Sequence, residues 1–164
     1  MCSSDLACDF CSKFGKSLAD LTADAGLVVV GRLHHADQDA QTTQLDVLFV
    51  VKLPDAARAK KSFVVSRFLP IAREGDSERL IFGDLVQGRV DPSLMQTIDS
   101  PDLVGYLRES IRLQRAEPVE RFTYYFHHLQ HADPAISEDA YKEFGKASYP
   151  EVAAGKPEIG RAHV

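Results

Sequence analysis

Several groups of side chains in this chain have types and spacings that could do chemistry. Cys8-Asp9-Phe10-Cys11 is a CxxC pair placed just before a helical pattern. A helix dipole there would lower a thiol pKa and favour disulfide exchange. A redox fold of the thioredoxin type needs a strand feeding that motif and strand–helix alternation after it, and the downstream pattern supplies neither. Covalent haem attachment needs histidine after the second cysteine, where Ser12 stands. A zinc site needs two more ligands. His34 and His35 are the nearest, and neighbours on a strand are poorly placed to chelate together. A local disulfide or clasp, inert thiols, redox duty and metal duty therefore all stay open for Cys8 and Cys11, with the structural role favoured.

His127 and His131 stand at i, i+4, a spacing that can chelate a divalent metal. Asp133-Pro134 opens a new helix, so His131 is expected in the turn, and no HExxH accompanies the pair. They are weak metal candidates, and a structural or exposed role is expected. Asp139 and Glu143, also i, i+4, could pair for acid–base work; on an amphipathic helix they more often face solvent or cap a neighbouring helix. Phe122, Tyr124, Tyr125 and Phe126 make an aromatic run that reads as helix-packing core, with Tyr141 and Phe144 nearby, rather than a partner-binding stripe. No nucleophile motif or phosphate-cradling glycine loop is present. No catalytic residue is assigned and no cofactor is expected.

The two ends answer each other. Met1–Leu6 can be encoded by GTG TGC TCT TCC GAT CT, and the reverse complement of that stretch encodes Glu158–Val164 once a G precedes it and GTC follows. This inverted repeat matches a sequencing-library adapter, so residues 1–6 and 158–164 are set aside as translated adapter. The insert, about Ala7 to Pro157, is then expected to be cut at both ends, and Cys2 carries no argument.

The 164 residues suit one domain, or one small domain with an appendage. Hydrophobic residues at 45% and charged residues at 26% are ordinary for a chain that buries a core. A net charge of −5 without a basic stripe argues against a nucleic-acid partner. The densest basic run, Ala59–Lys61, falls in an expected loop. The longest apolar run, AGLVVVG, is too short to span a bilayer.

Phe14, Leu18, Leu21 and Ala25 share one face of a helix expected from about Ser12 to Ala25, with Gly26 at its C-terminal end. Leu27–Leu33 reads as a buried strand, with Gly31 marking a bulge or bend. HHADQDAQ reads as a polar connection. Thr43, Leu45, Val47, Phe49 and Val51 alternate with their neighbours and define one apolar face of a long strand. Ser62–Phe68 is a third strand, REGDSE a turn, and RLIFGDLV with QGRVD a hairpin turning at Gly88. From Pro101 the period becomes helical: one helix opened by Ser100 and Pro101, one after Pro118, and one opened by Asp133 and Pro134 and closed by Gly145. Ser148–Ala154 reads as the start of a fourth. Strands and helices are segregated, so the fold class is α+β: an N-terminal helix, a five-stranded antiparallel OB-like barrel, then a C-terminal stack of short helices. The domain boundaries follow as 7–98 for the barrel with its leading helix and 99–157 for the tail.

On the stretches ADAGLVVVGRL, TTQLDVLFVVK, SFVVSRF and ERLIFGD, residues 8 to 98 resemble the netrin-like module of tissue inhibitors of metalloproteinases and complement components. The whole chain resembles a group of secreted bacterial proteins of unassigned activity, with a cysteine pair like CDFC, such a barrel, and helices like RFTYYFHHLQHADPAISEDAYKEFGKASYPEV that resemble a HEAT-type pair. Metalloproteinase inhibitors carry a Cys-x-Cys at the mature N-terminus and bridge it to later cysteines. Cys8 and Cys11 have another spacing and no later cysteine follows, so no inhibitory residue is carried over.

The resemblance implies a secreted or periplasmic bacterial protein whose barrel and tail serve as a non-enzymatic interaction or structural module. Its expected partner is another protein, with no nucleic acid and no membrane span. The alternative is a thiol–disulfide redox protein acting through Cys8 and Cys11.

Overall fold

The computed structural model describes residues 15–71, 78–148 and 150. Cys2, Cys8, Cys11, Phe14, most of REGDSE, both adapter-like ends and most of the expected fourth helix lie outside the described residues. A short helix α1 (Leu18–Asp24) leads into strands β1 (Leu27–Asp37), β2 (Thr42–Lys52), β3 (Ser62–Val65), β4 (Glu78–Val86) and β5 (Arg89–Gln96). Helices α2 (Asp102–Leu113), α3 (Pro118–His128) and α4 (Pro134–Gly145) follow. The α+β class and the order helix, five-stranded barrel, helices are as the sequence indicates. Contacts divide the chain into two compact units: Leu21–Glu109, and a second drawn from the described residues on either side of it.

In the first unit the strands close in the order β1-β2-β3-β5-β4. The expectation of a wholly antiparallel barrel is corrected here: β3 and β5 pair in parallel through Val65 and Val90. Five strands that alternate in direction along the chain cannot close without one parallel contact, because the ring is odd. Every other pairing is antiparallel. The β4–β5 hairpin turns on Gln87 and Gly88, both at positive φ (51° and 79°), which is the geometry a two-residue type I′ turn requires.

Leu27, Val29, Leu33, Leu45, Phe63, Val65, Ile81 and Val90 fill the barrel. Val28, Val30, Leu80 and Phe82 alternate with them on β1 and β4 and are no more than 1% exposed. The two strands are thus buried on both faces, which explains their unbroken apolar runs. Leu103, Val104, Tyr106 and Leu107 of α2 are buried as well, and Arg108 Nε donates to Val50 O at 2.7 Å, tying that helix to β2.

Strand β1 is longer than the sequence reading allowed, because His34–Asp37 pair with β2 instead of forming a loop. Three irregularities bend this pair, the first between Val28 and Val29. At the second, Val30 faces Phe49 while Gly31 faces Val47, so Leu48 has no opposite residue. A Cβ on Gly31 would strike the Leu45 side chain and lie 2.6 Å from Asp46 O, so only glycine allows this approach. Val47 and Val50 pack inward, and Leu48 and Phe49 turn outward at 38% and 49% exposure. The expected placement of Phe49 on the buried face is therefore corrected by one bulge, which breaks the period of two. The third irregularity falls between His34 and Asp37, where His35 takes φ 48°.

In the second unit, α3 and α4 are the helices that Pro118 and Asp133-Pro134 predict. Asp133 caps α4 by accepting the Ala135 N–H at 2.9 Å. Among the described residues the first helix starts at Leu18, later than the expected start near Ser12, because Ser17 is its cap: Ser17 Oγ accepts the Asp20 N–H (3.0 Å) and Asp20 Oδ2 accepts the Ser17 N–H (3.3 Å). This reciprocal pair is a capping box, legible as SLAD.

Candidate functional site

Asp139 and Glu143 project from α4 toward the beginning of α1. Asp139 is 2% exposed, and its Oδ1 accepts the Leu18 N–H. Glu143 Oε1 accepts from Ser17 Oγ and from Lys146 Nζ. Lys146 Nζ also reaches Asp20 Oδ2 at 2.6 Å and Ser17 Oγ at 3.1 Å. The two carboxylates thus satisfy backbone and hydroxyl donors at a helix N-terminus, where negative charge is also favoured by the dipole. Of the roles open to them from sequence, capping a neighbouring helix is observed for Asp139, while Glu143 holds the cap residue Ser17 through its hydroxyl.

Charge in this cluster is internally matched. Burial alone would raise the Asp20 carboxyl, but Lys146 and Ser17 outweigh it and hold Asp20 below the ordinary carboxylate range. Burial alone would lower the Lys146 ammonium, and its bonds to Asp20 and Glu143 reverse that into an upward shift. Burial, reinforced by the negative charges of Glu143 and Asp139, pushes the Tyr125 phenol far above its usual range against the hydrogen bond with Ser110. Tyr125 is therefore a neutral core group. Lys146 and Ser17 were not singled out from the sequence; the SLAD box was a signal for Ser17, while Lys146 had none beyond its place at the end of α4.

His127 is an exposed residue of α3, whereas His131 lies in the turn beyond the helix, as Asp133-Pro134 predicts. His131 Nδ1 accepts the Asp133 N–H at 3.0 Å, and its ring stacks on His128 with centroids 6.0 Å apart. The i, i+4 spacing is thus interrupted by the helix end. Among the described residues no three His, Cys, Asp or Glu side chains converge as a metal-binding group. Cys8 and Cys11 fall outside the described residues.

Two of the four residues of the aromatic run, Phe122 and Tyr125, are core, and Tyr124 and Phe126 are half-buried. Phe122 and Tyr125 are each 3% exposed, and Phe122 packs on Phe144 at 4.2 Å between centroids. Tyr141, grouped with that core from its spacing, is instead 59% exposed. It lines a shallow depression of about 390 Å³ with Leu129, Ser137, Glu138 and Lys142. A second open depression, about 380 Å³, lies on the barrel at Gln44, Lys60–Val64 and Gly88.

His34 and His35 are brought together, against expectation. Their rings meet edge to face at 4.8 Å with the two Nδ1 atoms facing each other. Leu33 points into the barrel, so alternation sends His34 outward and would send His35 inward. The positive φ at His35 turns it outward beside His34 instead. Sequence reasoning missed this because a non-glycine residue at positive φ leaves no compositional trace.

Among the described residues no helix is long and apolar enough to cross a membrane. Comparison with known proteins finds no family model that matches the chain and no curated protein that matches it.

Proposed function

We propose that this chain is a non-enzymatic protein-interaction module, a netrin-like OB barrel with a HEAT-like helical tail, working in a secreted or periplasmic bacterial protein. The observation that supports a partner-binding role is the outward pair Leu48 and Phe49 on β2, set there by the bulge at Leu48. Adjacent aliphatic and aromatic side chains left outside a filled barrel are the composition that interface centres favour. Of the carboxylates that acid–base chemistry would have needed, Asp139 is engaged as a helix cap and Glu143 with the Ser17 hydroxyl and Lys146. The placement outside the cytoplasm rests on the resemblance of CDFC and the strand patterns.

A photo-crosslinking residue placed at position 49 tests this reading against extracellular and periplasmic extracts. Val86, which is 51% exposed, serves as an equally apolar control position. A discrete adduct from position 49 that disappears in Leu48→Asp, with none from position 86, is the expected result. Equal labelling from both positions would overturn it. So would catalytic turnover of a disulfide substrate lost in Cys8→Ser, which would favour the redox alternative.

A further inference from the structure

The strongest unassigned chemistry is at the β1–β2 bulge. His34 and Asp46 are diagonal neighbours on the outer face of this strand pair, since His34 pairs with Gln44 and Arg32 with Asp46. His34 Nε2 lies 3.1 Å from Asp46 Oδ2, within ion-pair distance but not aligned for a hydrogen bond, and it is shielded from solvent. A bare lone pair there would face a carboxylate, so the tautomer with its N–H on Nε2 is the one this position suits. That tautomer leaves Nδ1 as the lone-pair nitrogen. His35 Nδ1 lies 2.5 Å from that atom.

We propose that His34 and His35 form a bis-histidine site for a borderline divalent transition ion, binding through both Nδ1 atoms, with Asp46 as the outer partner of His34. The arrangement matches how proteins prepare an imidazole ligand: one ring nitrogen turned to a carboxylate, the other left basic toward the metal. Two nitrogens on one ion at metal–nitrogen distances of about 2.0–2.1 Å sit about 3.3 Å apart in tetrahedral geometry. The rings need to open by less than about 1 Å from their present separation, a small side-chain rotation at a partly exposed site. Water fills the remaining positions. Imidazole donors select Cu2+, Ni2+ and Zn2+ over Mg2+ and Ca2+, and Cu2+ binds tightest in that series.

The backbone supplies the second argument. His35 holds φ 48°, where glycine is the unstrained choice, and this conformation alone brings the second ring alongside the first. Strain of this kind persists where the surrounding structure or a function holds it.

The test uses the full chain and Cu2+ alone, added below one equivalent and followed by loss of backbone amide NMR signals. Signals of Leu33–Ala36 and Gln44–Asp46 are expected to disappear first. His35→Gly removes the imidazole while relieving the backbone, so the variant folds, and broadening at β1–β2 should vanish from it. Asp46→Asn should weaken Zn2+ binding, measured calorimetrically, by about tenfold without abolishing it. First broadening around His127 to Asp133 with β1–β2 unaffected, or broadening at β1–β2 that survives His35→Gly, overturns the proposal.

Discussion

Replacing Asp139 decides between a cap and an acid–base group. Its Oδ1 accepts the Leu18 N–H at the first turn of a helix only seven residues long, and so short a helix depends on tertiary contacts and caps for its existence. Asp139→Ala leaves that N–H without this acceptor at a position where the carboxylate is 2% exposed. A hydrogen bond to a charged acceptor contributes about 1.5–3 kcal/mol, and lost N-terminal capping costs about 0.5–2 kcal/mol. The two descriptions overlap, so the expected loss is about 2–3 kcal/mol. Asp139→Asn keeps a carbonyl oxygen and loses only the charge, for an expected cost of about 1 kcal/mol. Urea denaturation followed by far-ultraviolet circular dichroism gives the totals. Hydrogen exchange at the Leu18 amide reads the contact itself, and Asp139→Ala should accelerate exchange there before other amides of the unit. A loss below about 0.5 kcal/mol for Asp139→Ala, or an equal loss for Asn and Ala, would refute the capping argument.

Two glycine-to-alanine changes should move stability in opposite directions. Gly31→Ala drives a Cβ against Asp46 O, for about 1–3 kcal/mol of destabilisation. Gly105→Ala, in α2 with nothing within 4 Å of its Cβ, should stabilise by about 0.5–1 kcal/mol; thermal melts of the two variants check both. His35→Gly should melt at or above the parent temperature in the absence of metal, because it relieves the positive φ. The Asp20–Lys146 pair fixes a pH profile. Asp20 is shifted below 3.8, so its contribution is present above that value and lost as pH falls through the folded pKa. Lys146 is shifted above 10.5, so its contribution is present below that value and lost as pH rises through the folded pKa. Lys146→Met should flatten the alkaline limb and weaken the acid one in denaturation midpoints measured across pH.

What could be read from the sequence was whatever a short window determines. Ser100 and Pro101 open α2: Ser100 Oγ accepts the Asp102 N–H at 3.1 Å. Asp133 does the same for α4, and Gly88 sits in the hairpin turn, because caps and primed turns depend on one or two residues. The burial of Phe122 and Tyr125 followed from helical spacing in the same way. The parallel β3–β5 contact was not local: it follows from closing an odd number of strands, which no single strand's pattern records. Tyr141 shows the reverse limit, since spacing placed it near the core face but the helix turned it to solvent.

The failures of alternation on β1 and β2 share one cause, and it bears on function. A small five-stranded barrel must curve its strands sharply, and bulges supply that curvature by adding a residue to one strand. Each added residue inverts the facing of the side chains around it. At Leu48 the inversion turns Phe49 out of the core, and at His35 it places an imidazole beside His34. An alternating pattern read through such a strand therefore misassigns the residues at the bend while remaining right on both sides of it. Leu45 and Val47 inside with Asp46 and Leu48 outside obey the pattern, yet Phe49, the next residue, already fails it. Exposed Phe49 and the paired imidazoles of His34 and His35 sit at bulges of the β1–β2 pair, where closing the sheet overrides the separation of polar and apolar faces.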